Sequence, residues 1–228
     1  MDEIANNLAT VRTKIAAACL RAHRRPDEVT LVAVSKLQPR AYIEAAYAAG
    51  QRDFGENYAQ ELRDKSSELA HVPELRWHAI GPLQTNKVKY VAKVATSFHA
   101  LFSLEIAEEL NKRREGHPID VFIEVNMAAE DSKSGIAPAQ VAALAEKVRK
   151  LPGLRLVGLM CMPPQPEPPT AWTPEDNRPH FAALRELGKL HGLTQLSMGS
   201  TSDYEVAIEE GATVVRVGRS IFGSRPPH

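Results

Sequence analysis

Lys36 stands at the end of the run Leu31-Val32-Ala33-Val34-Ser35, so an apolar segment delivers an amine. The run is opened by Val29-Thr30 and closed by Gln38-Pro39, and it reads as an interior parallel strand. Lysine is costly to bury and belongs at the rim of such a strand. A desolvated lysine there loses its proton more readily and becomes a nucleophile toward aldehydes. Taken alone, the segment has a plainer reading, a solvated strand end whose lysine points to water. Two clusters near the other end of the chain carry a different chemistry: Met198-Gly199-Ser200-Thr201-Ser202 and Val217-Gly218-Arg219-Ser220. Small residues leading into a helix leave backbone N–H groups to cradle an anion, and the Ser200, Thr201 and Ser220 hydroxyls add donors.

These residues need elements to position them, and strand-like and helix-like segments alternate along the chain. A leading amphipathic helix over about 2–24 carries Ile4, Leu8, Val11, Ile15 and Cys19 at helical spacing. A strand at 29–35 precedes a helix at 39–49 that stops at Gly50. Strands then follow at 52–55, 76–80, 97–101, 121–125, 154–160, 195–197 and 213–217. The helices between them are expected at 58–69, 85–95, 104–115, from Pro138, at 175–191 and at 203–210, with a short one at the end. Ser103 reads as an N-cap, and Pro138 takes a helix-starting position. Eight strand–helix units after one extra helix are the pattern of a closed (β/α)8 TIM barrel, the expected fold. The competing open doubly wound sheet is disfavoured, because no GxGxxG follows the first strand and no P-loop occurs. No linker divides the chain, so residues 1–228 are expected to form a single domain. Residues 163–179 hold seven of the sixteen prolines, which fits an exposed extended loop or a flap over the barrel mouth.

A barrel brings its strand C-termini to one face. The polar residues there are Lys36, Glu56, Asn57, His78, Asn126, Cys161 and Arg216. The two glycine–hydroxyl clusters follow strands seven and eight, where barrels most often bind phosphate. An aldehyde-seeking amine and a phosphate nest together define a ligand with both groups, and pyridoxal 5′-phosphate (PLP) fits. Arg216 at the end of strand eight either faces the ring nitrogen or forms a salt bridge inside the barrel with Glu124 or Asp203.

Seven segments carry a resemblance that spans almost the whole chain in matching order. They are AVSKLQP (33–39), FGENYAQEL (54–62), WHAIGPLQTNK (77–87), EDSKSGI (130–136), GLMCMPP (158–164), LSMGSTSDYEVAI (196–208) and VRVGRSIFGSR (215–225). The chain resembles the pyridoxal phosphate homeostasis protein family, relatives of the N-terminal barrel of alanine racemase. The resemblance implies that Lys36 forms an internal aldimine with PLP and that Arg216 faces the pyridine nitrogen. It also implies that the phosphate sits on Ser200, Thr201, Gly218, Arg219 and Ser220. Asn57 and His78 match polar positions of the family pocket, and Met160 would pack on the ring; a core role for these three stands beside that. Two departures stand out. Where the family often reads MGMS this chain has Met198-Gly199-Ser200-Thr201, so the serine hydroxyl would come from Thr201. Where it often reads GTAIFG this chain has Gly218-Arg219-Ser220-Ile221-Phe222-Gly223, which removes a threonine hydroxyl at position 219.

Composition narrows the function classes. Lys and Arg total 28, as do Asp and Glu, so a zero net charge argues against nucleic acid or an anionic membrane as the main partner. No apolar run approaches the roughly 20 residues of a membrane span. The acidic start Met1-Asp2-Glu3 is unlike a signal peptide, and a cytoplasmic location is expected. Cys19 and Cys161 are too few for a disulfide scaffold and have no metal-ligand spacing. Relatives of this fold that racemise or decarboxylate amino acids use a second, β-rich domain that supplies a tyrosine base. The chain ends a few residues past strand eight, which leaves no room for that domain, and Tyr42, Tyr47, Tyr58, Tyr90 and Tyr204 fall mostly in expected helices. The expectation is a non-catalytic, monomeric PLP-binding protein that stores, buffers or hands on the cofactor to apo-enzymes. The alternative is a weak PLP-dependent racemase.

Overall fold

The computed structural model describes residues 2–128, 134–164 and 171–224. Among these, eight parallel strands close into a barrel in chain order, so the open-sheet alternative is excluded. The strands are β1 (Thr30–Val34), β2 (Asp53–Glu56), β3 (Arg76–Ala79), β4 (Ser97–Leu101), β5 (Ile119–Glu124), β6 (Leu154–Met160), β7 (Gln195–Ser200) and β8 (Val214–Val217). The helices are α1 (Asp2–Arg21), α2 (Arg40–Ala48), α3 (Ala59–Glu68), α4 (Val88–Val94), α5 (Leu104–Arg113), α6 (Val141–Val148), α7 (Arg178–Leu190), α8 (Tyr204–Glu209) and α9 (Arg219–Phe222). Closure is made by β8 against β1, with Thr30 opposite Val214 and Val32 opposite Arg216. Residues 130–133 of the EDSKSGI segment, 165–170 of the proline-rich stretch and Arg225 lie outside the described residues.

Helix α1 buries Ile4, Leu8, Val11, Ile15, Ala18 and Cys19, a stripe that includes every position its periodicity marked. Full burial of a leucine such as Leu8 stabilises by roughly 1.5–3 kcal/mol. Asn7 Nδ2 donates to the Ile221 carbonyl at 3.0 Å, which ties the first helix to the last. Ser103 caps α5 by accepting from the Ile106 N–H at 3.5 Å. Pro138 and Pro174 open short 3-10 turns at 138–140 and 174–177 that lead into α6 and α7.

The sequence placed β7 at 195–197 only, because Gly199 reads as a junction. The strand instead continues to Ser200 across a register shift between Ser197 and Ser200. Gly199 has φ +89, and a Cβ there would lie 2.6 Å from Ala207 Cβ and 2.8 Å from Tyr204 Cα. Glycine is therefore required where the strand bends into α8.

Barrel interiors of this type are normally filled by branched apolar side chains. Here Val32 and Phe122 share the interior with Asp53, His78, His99, Ser197 and Arg216, all of them buried. Alternation along the strands sends Phe54, Trp77 and Phe98 to the opposite face, against the helices.

Candidate functional site

At the C-terminal mouth of the barrel lie two adjoining cavities of about 210 and 390 Å³. The smaller is walled by Lys36, Asn57, Thr201, Gly218 and Arg219, and the larger by Asn126, Pro163, Gly199 and Asp203. Glu124, Ser134, Met162, Ser200 and Arg216 line both.

Lys36 follows β1 in a turn that is held on both sides. Lys65 Nζ of α3 donates to the Ser35 carbonyl at 2.6 Å, to Glu56 Oε1 at 2.9 Å and to Glu61 Oε1 at 2.7 Å. Glu61 Oε1 also accepts the Leu37 N–H at 2.6 Å. Ser35 Oγ donates to Glu56 Oε1 at 2.6 Å. Leu37 has φ +61, a conformation that a branched residue adopts only when its surroundings over-determine it, at a cost of roughly 1–3 kcal/mol. The peptide bonds flanking Lys36 are thus fixed by a buried charge cluster rather than by the loop itself. Burial, opposed by the Lys65 ammonium and reinforced by Glu61, pushes the Glu56 carboxyl up to about 7.

Arg216 is 6 % exposed and is pinned from behind. Its Nη1 donates to Ser197 Oγ at 2.6 Å and its Nη2 to the Cys161 carbonyl at 3.1 Å. A guanidinium carries five N–H donors, so these two bonds orient it and leave others for the cavity it lines. The salt bridge considered for it with Glu124 or Asp203 is not formed within contact distance. Those carboxylates act on it only through their charge.

The two glycine-containing junctions meet. Thr201 Oγ1 accepts the Gly218 N–H at 3.1 Å, while Asp203 Oδ1 accepts from Ser200 N at 2.7 Å and Ser200 Oγ at 3.1 Å. Asn177 Nδ2 holds the other Asp203 oxygen at 2.7 Å. Among the described residues the Thr201 hydroxyl hydrogen has no acceptor, and the exposed Arg219 lines the same wall.

Seven of the ten residues singled out in the sequence, Lys36, Asn57, Ser200, Thr201, Arg216, Gly218 and Arg219, come together on the smaller cavity. The other three are elsewhere. His78 has the same inward parity as Ile80, the residue just past β3, which does line the cavity. It lies two residues earlier, about 7 Å deeper, where it bonds Asp53 and His99. Met160 is sealed in the core at 1 % exposure, and Met162 is the methionine at the cavity. Ser220 is one residue past Arg219 on α9, turned about 100° away, and lines a separate groove with Lys14 and Arg21.

Glu124 is the pocket residue whose role the sequence did not disclose. It ends β5, four strands from β1 in either direction, so it faces Lys36 across the barrel mouth. Its Oε1 accepts from Ser134 Oγ at 2.7 Å, and its Oε2 is buried with no hydrogen-bond partner among the described residues. Burial raises its pKa, opposed by the Ser134 bond and the charge of Arg216. An acidic residue inside the apolar run Val121–Val125 was the available signal.

An amine, a hydroxyl- and guanidinium-lined wall and a pinned arginine suit a ligand with an aldehyde, a phosphate and a ring acceptor. The orphaned Glu124 oxygen marks room for one further donor. The residues therefore fit PLP. Among the described residues no cluster could hold a metal ion, and no helix is long and apolar enough to cross a membrane.

The family model for the alanine racemase N-terminal domain matches residues 1–226. A pyridoxal phosphate homeostasis protein from Pseudomonas aeruginosa is 47% identical over 231 residues, covering 99% of this chain and 97% of its own. One from Escherichia coli K12 is 45% identical over 230 residues, covering 99% and 98%. The solved structure of PipY from Synechococcus elongatus with PLP bound superposes with a TM-score of 0.81 at 34% identity, over 96% of this chain and 100% of that one. Alanine racemase from Corynebacterium glutamicum shares the fold at 15% identity and a TM-score of 0.69, over 99% of this chain and 61% of its own.

Proposed function

The chain belongs to the alanine racemase N-terminal domain family, and on that footing we propose that it binds PLP at the barrel mouth and serves PLP homeostasis by storing, buffering or delivering the cofactor. The observation that carries this is the single cavity on which Lys36, Arg216 and the Thr201–Gly218–Arg219 wall converge. Bound there, the cofactor would supply an electrophilic aldehyde and a conjugated ring. Lys36 would join the aldehyde carbon through its amine nitrogen, with loss of water. Thr201, Arg219 and the backbone around Gly218 would hold the phosphate, Arg216 would face the ring nitrogen, and Met162 would cover the ring. Full-length similarity to proteins named for PLP homeostasis favours a non-catalytic role; the reading extends to a monomeric carrier in the cytoplasm that hands the cofactor to apo-enzymes. Adding PLP to the purified protein should produce near-visible absorbance, and borohydride reduction followed by peptide mapping should place the cofactor on Lys36. A different lysine, or no covalent capture, overturns the assignment.

Glu124 favours a second reading, weak amino-acid chemistry such as racemisation, because a buried carboxyl with a raised pKa lines the same cavity as Lys36. Incubation with single enantiomers of amino acids separates the two. The opposite enantiomer, formed by the wild type and lost in Glu124→Gln, would establish the enzyme reading.

A further inference from the structure

Five buried polar groups form an unbroken chain through the barrel. Asp53 Oδ1 lies 2.9 Å from His78 Nε2, and His78 Nδ1 lies 3.0 Å from His99 Nε2. His99 Nδ1 lies 2.7 Å from Ser197 Oγ, which accepts from Arg216 Nη1 at 2.6 Å. The chain begins near the N-terminal mouth, where Arg76 grips Asp53 through two bonds of 2.7 and 2.6 Å. It ends on the guanidinium that lines the cavity.

The chemistry of the ends sets the direction. Arginine can only donate, and an ionised aspartate can only accept. Hydrogen bonds from His78 and Arg76 overcome the effect of burial and bring Asp53 down to about 2, so it is ionised. With both histidines neutral, each proton finds an acceptor. Arg216 donates to Ser197, Ser197 to His99 Nδ1, His99 Nε2–H to His78 Nδ1, and His78 Nε2–H to Asp53. In the reverse sense through His99, the Ser197 hydroxyl proton has no acceptor among the bonds of the described residues. Burial holds the His99 pKa well below its ordinary value, and the charge of Arg216 depresses it further. Phe122 stacks on the His99 ring at 4.5 Å, which fixes its plane.

We propose that this one-way chain is a positioning relay: Asp53, His78 and His99, none of which touches the cavity, hold Ser197 as an acceptor and thereby aim Arg216 at the ring nitrogen of the bound cofactor. The relay answers why a barrel interior should hold two histidines and an aspartate where branched apolar side chains would pack. It gives Arg216 a fixed backing, so no reorganisation is needed when the ring arrives.

The inference rests on the reading of the cavity as a PLP site. The test compares PLP with 1-deazapyridoxal 5′-phosphate, in which C–H replaces the ring nitrogen and no bond from Arg216 can be accepted. Affinities for both are measured on wild type, His99→Leu and Ser197→Ala, with thermal melts to confirm folding. Wild type should prefer PLP by about tenfold or more, the range of a charge-assisted hydrogen bond. Both variants should lose most of that preference while keeping their affinity for the deaza compound. A merely structural role would weaken the two ligands alike, and that result overturns the relay. So does an unchanged preference in a folded variant. Should His99→Leu fail to fold, Ser197→Ala, which removes one oxygen, decides in the same way. Wild type that binds neither ligand sinks the PLP reading itself. Wild type that binds both equally leaves that reading standing and removes the relay.

Discussion

Replacing Lys36 by alanine should abolish covalent capture of PLP while shifting the melting temperature by only a few degrees, because the side chain sits on a cavity wall outside the core. Loss of near-visible absorbance with an intact circular dichroism spectrum checks this. Gly218 makes a sharper test of the phosphate wall. A Cβ there would lie 3.2 Å from the Val34 carbonyl oxygen, so Gly218→Leu must push into the cavity. It should weaken PLP at least about tenfold more than pyridoxal, which lacks the phosphate; equal loss for both would place the phosphate elsewhere. Lys36, Arg216 and the two junctions were legible in the sequence because each breaks an apolar strand or opens a helix with glycine. Glu124 and the interior role of His78 were not. Parity along a strand tells which face a residue takes but not how deep it lies, and the bonding between His78 and His99 exists only once β3 and β4 are paired.

The elements around the site act as clamps. Lys65 of α3 is the only cation bonded to Glu56 and Glu61 among the described residues, and it also holds the Ser35 carbonyl. Lys65→Met would strand two carboxyl groups beside the strained Leu37, costing roughly 3 kcal/mol or more in urea unfolding and weakening PLP binding as the Lys36 turn relaxes. Two carboxyls should shape the pH dependence in opposite directions. The Glu56 value is raised in the fold, so its stabilising contribution is complete below about 4.5 and is lost as pH rises through about 7. The Asp53 value is depressed, so its contribution is complete above about 3.8 and is lost as pH falls through about 2. Urea midpoints measured across pH should therefore lose the first limb in Glu56→Gln and the second in Asp53→Asn. Helical spacing in the sequence alone marks α1 and its buried stripe, and Ser103 marks the start of α5. The ends of β5 and β7 were less visible. β5 begins at Ile119, ahead of the apolar run, and β7 runs on through a glycine that normally signals a turn.

Across the whole molecule, a donor-only Arg216 placed beside the ring nitrogen as proposed would disfavour protonation of that nitrogen and weaken the ring as an electron sink. Holo-protein should accordingly show little racemase, decarboxylase or transaminase turnover yet give up PLP to an apo-enzyme acceptor. Turnover on a common amino acid at rates usual for PLP enzymes would overturn the carrier reading. The pairing of β8 with β1 has a consequence for biosynthesis. Lys36 leaves the ribosome well before Arg216, and synthesis at roughly 5–20 residues per second separates them by on the order of ten seconds or more. Until β8 docks, the amine has no partner arginine and no phosphate wall, so on the proposed binding mode a chain that lacks β8 would not retain the cofactor. On that mode, retention of the cofactor would report that β8 has been made and has closed on β1. Once bound, the ligand would touch residues after both β1 and β8 and fasten the two strands against re-opening.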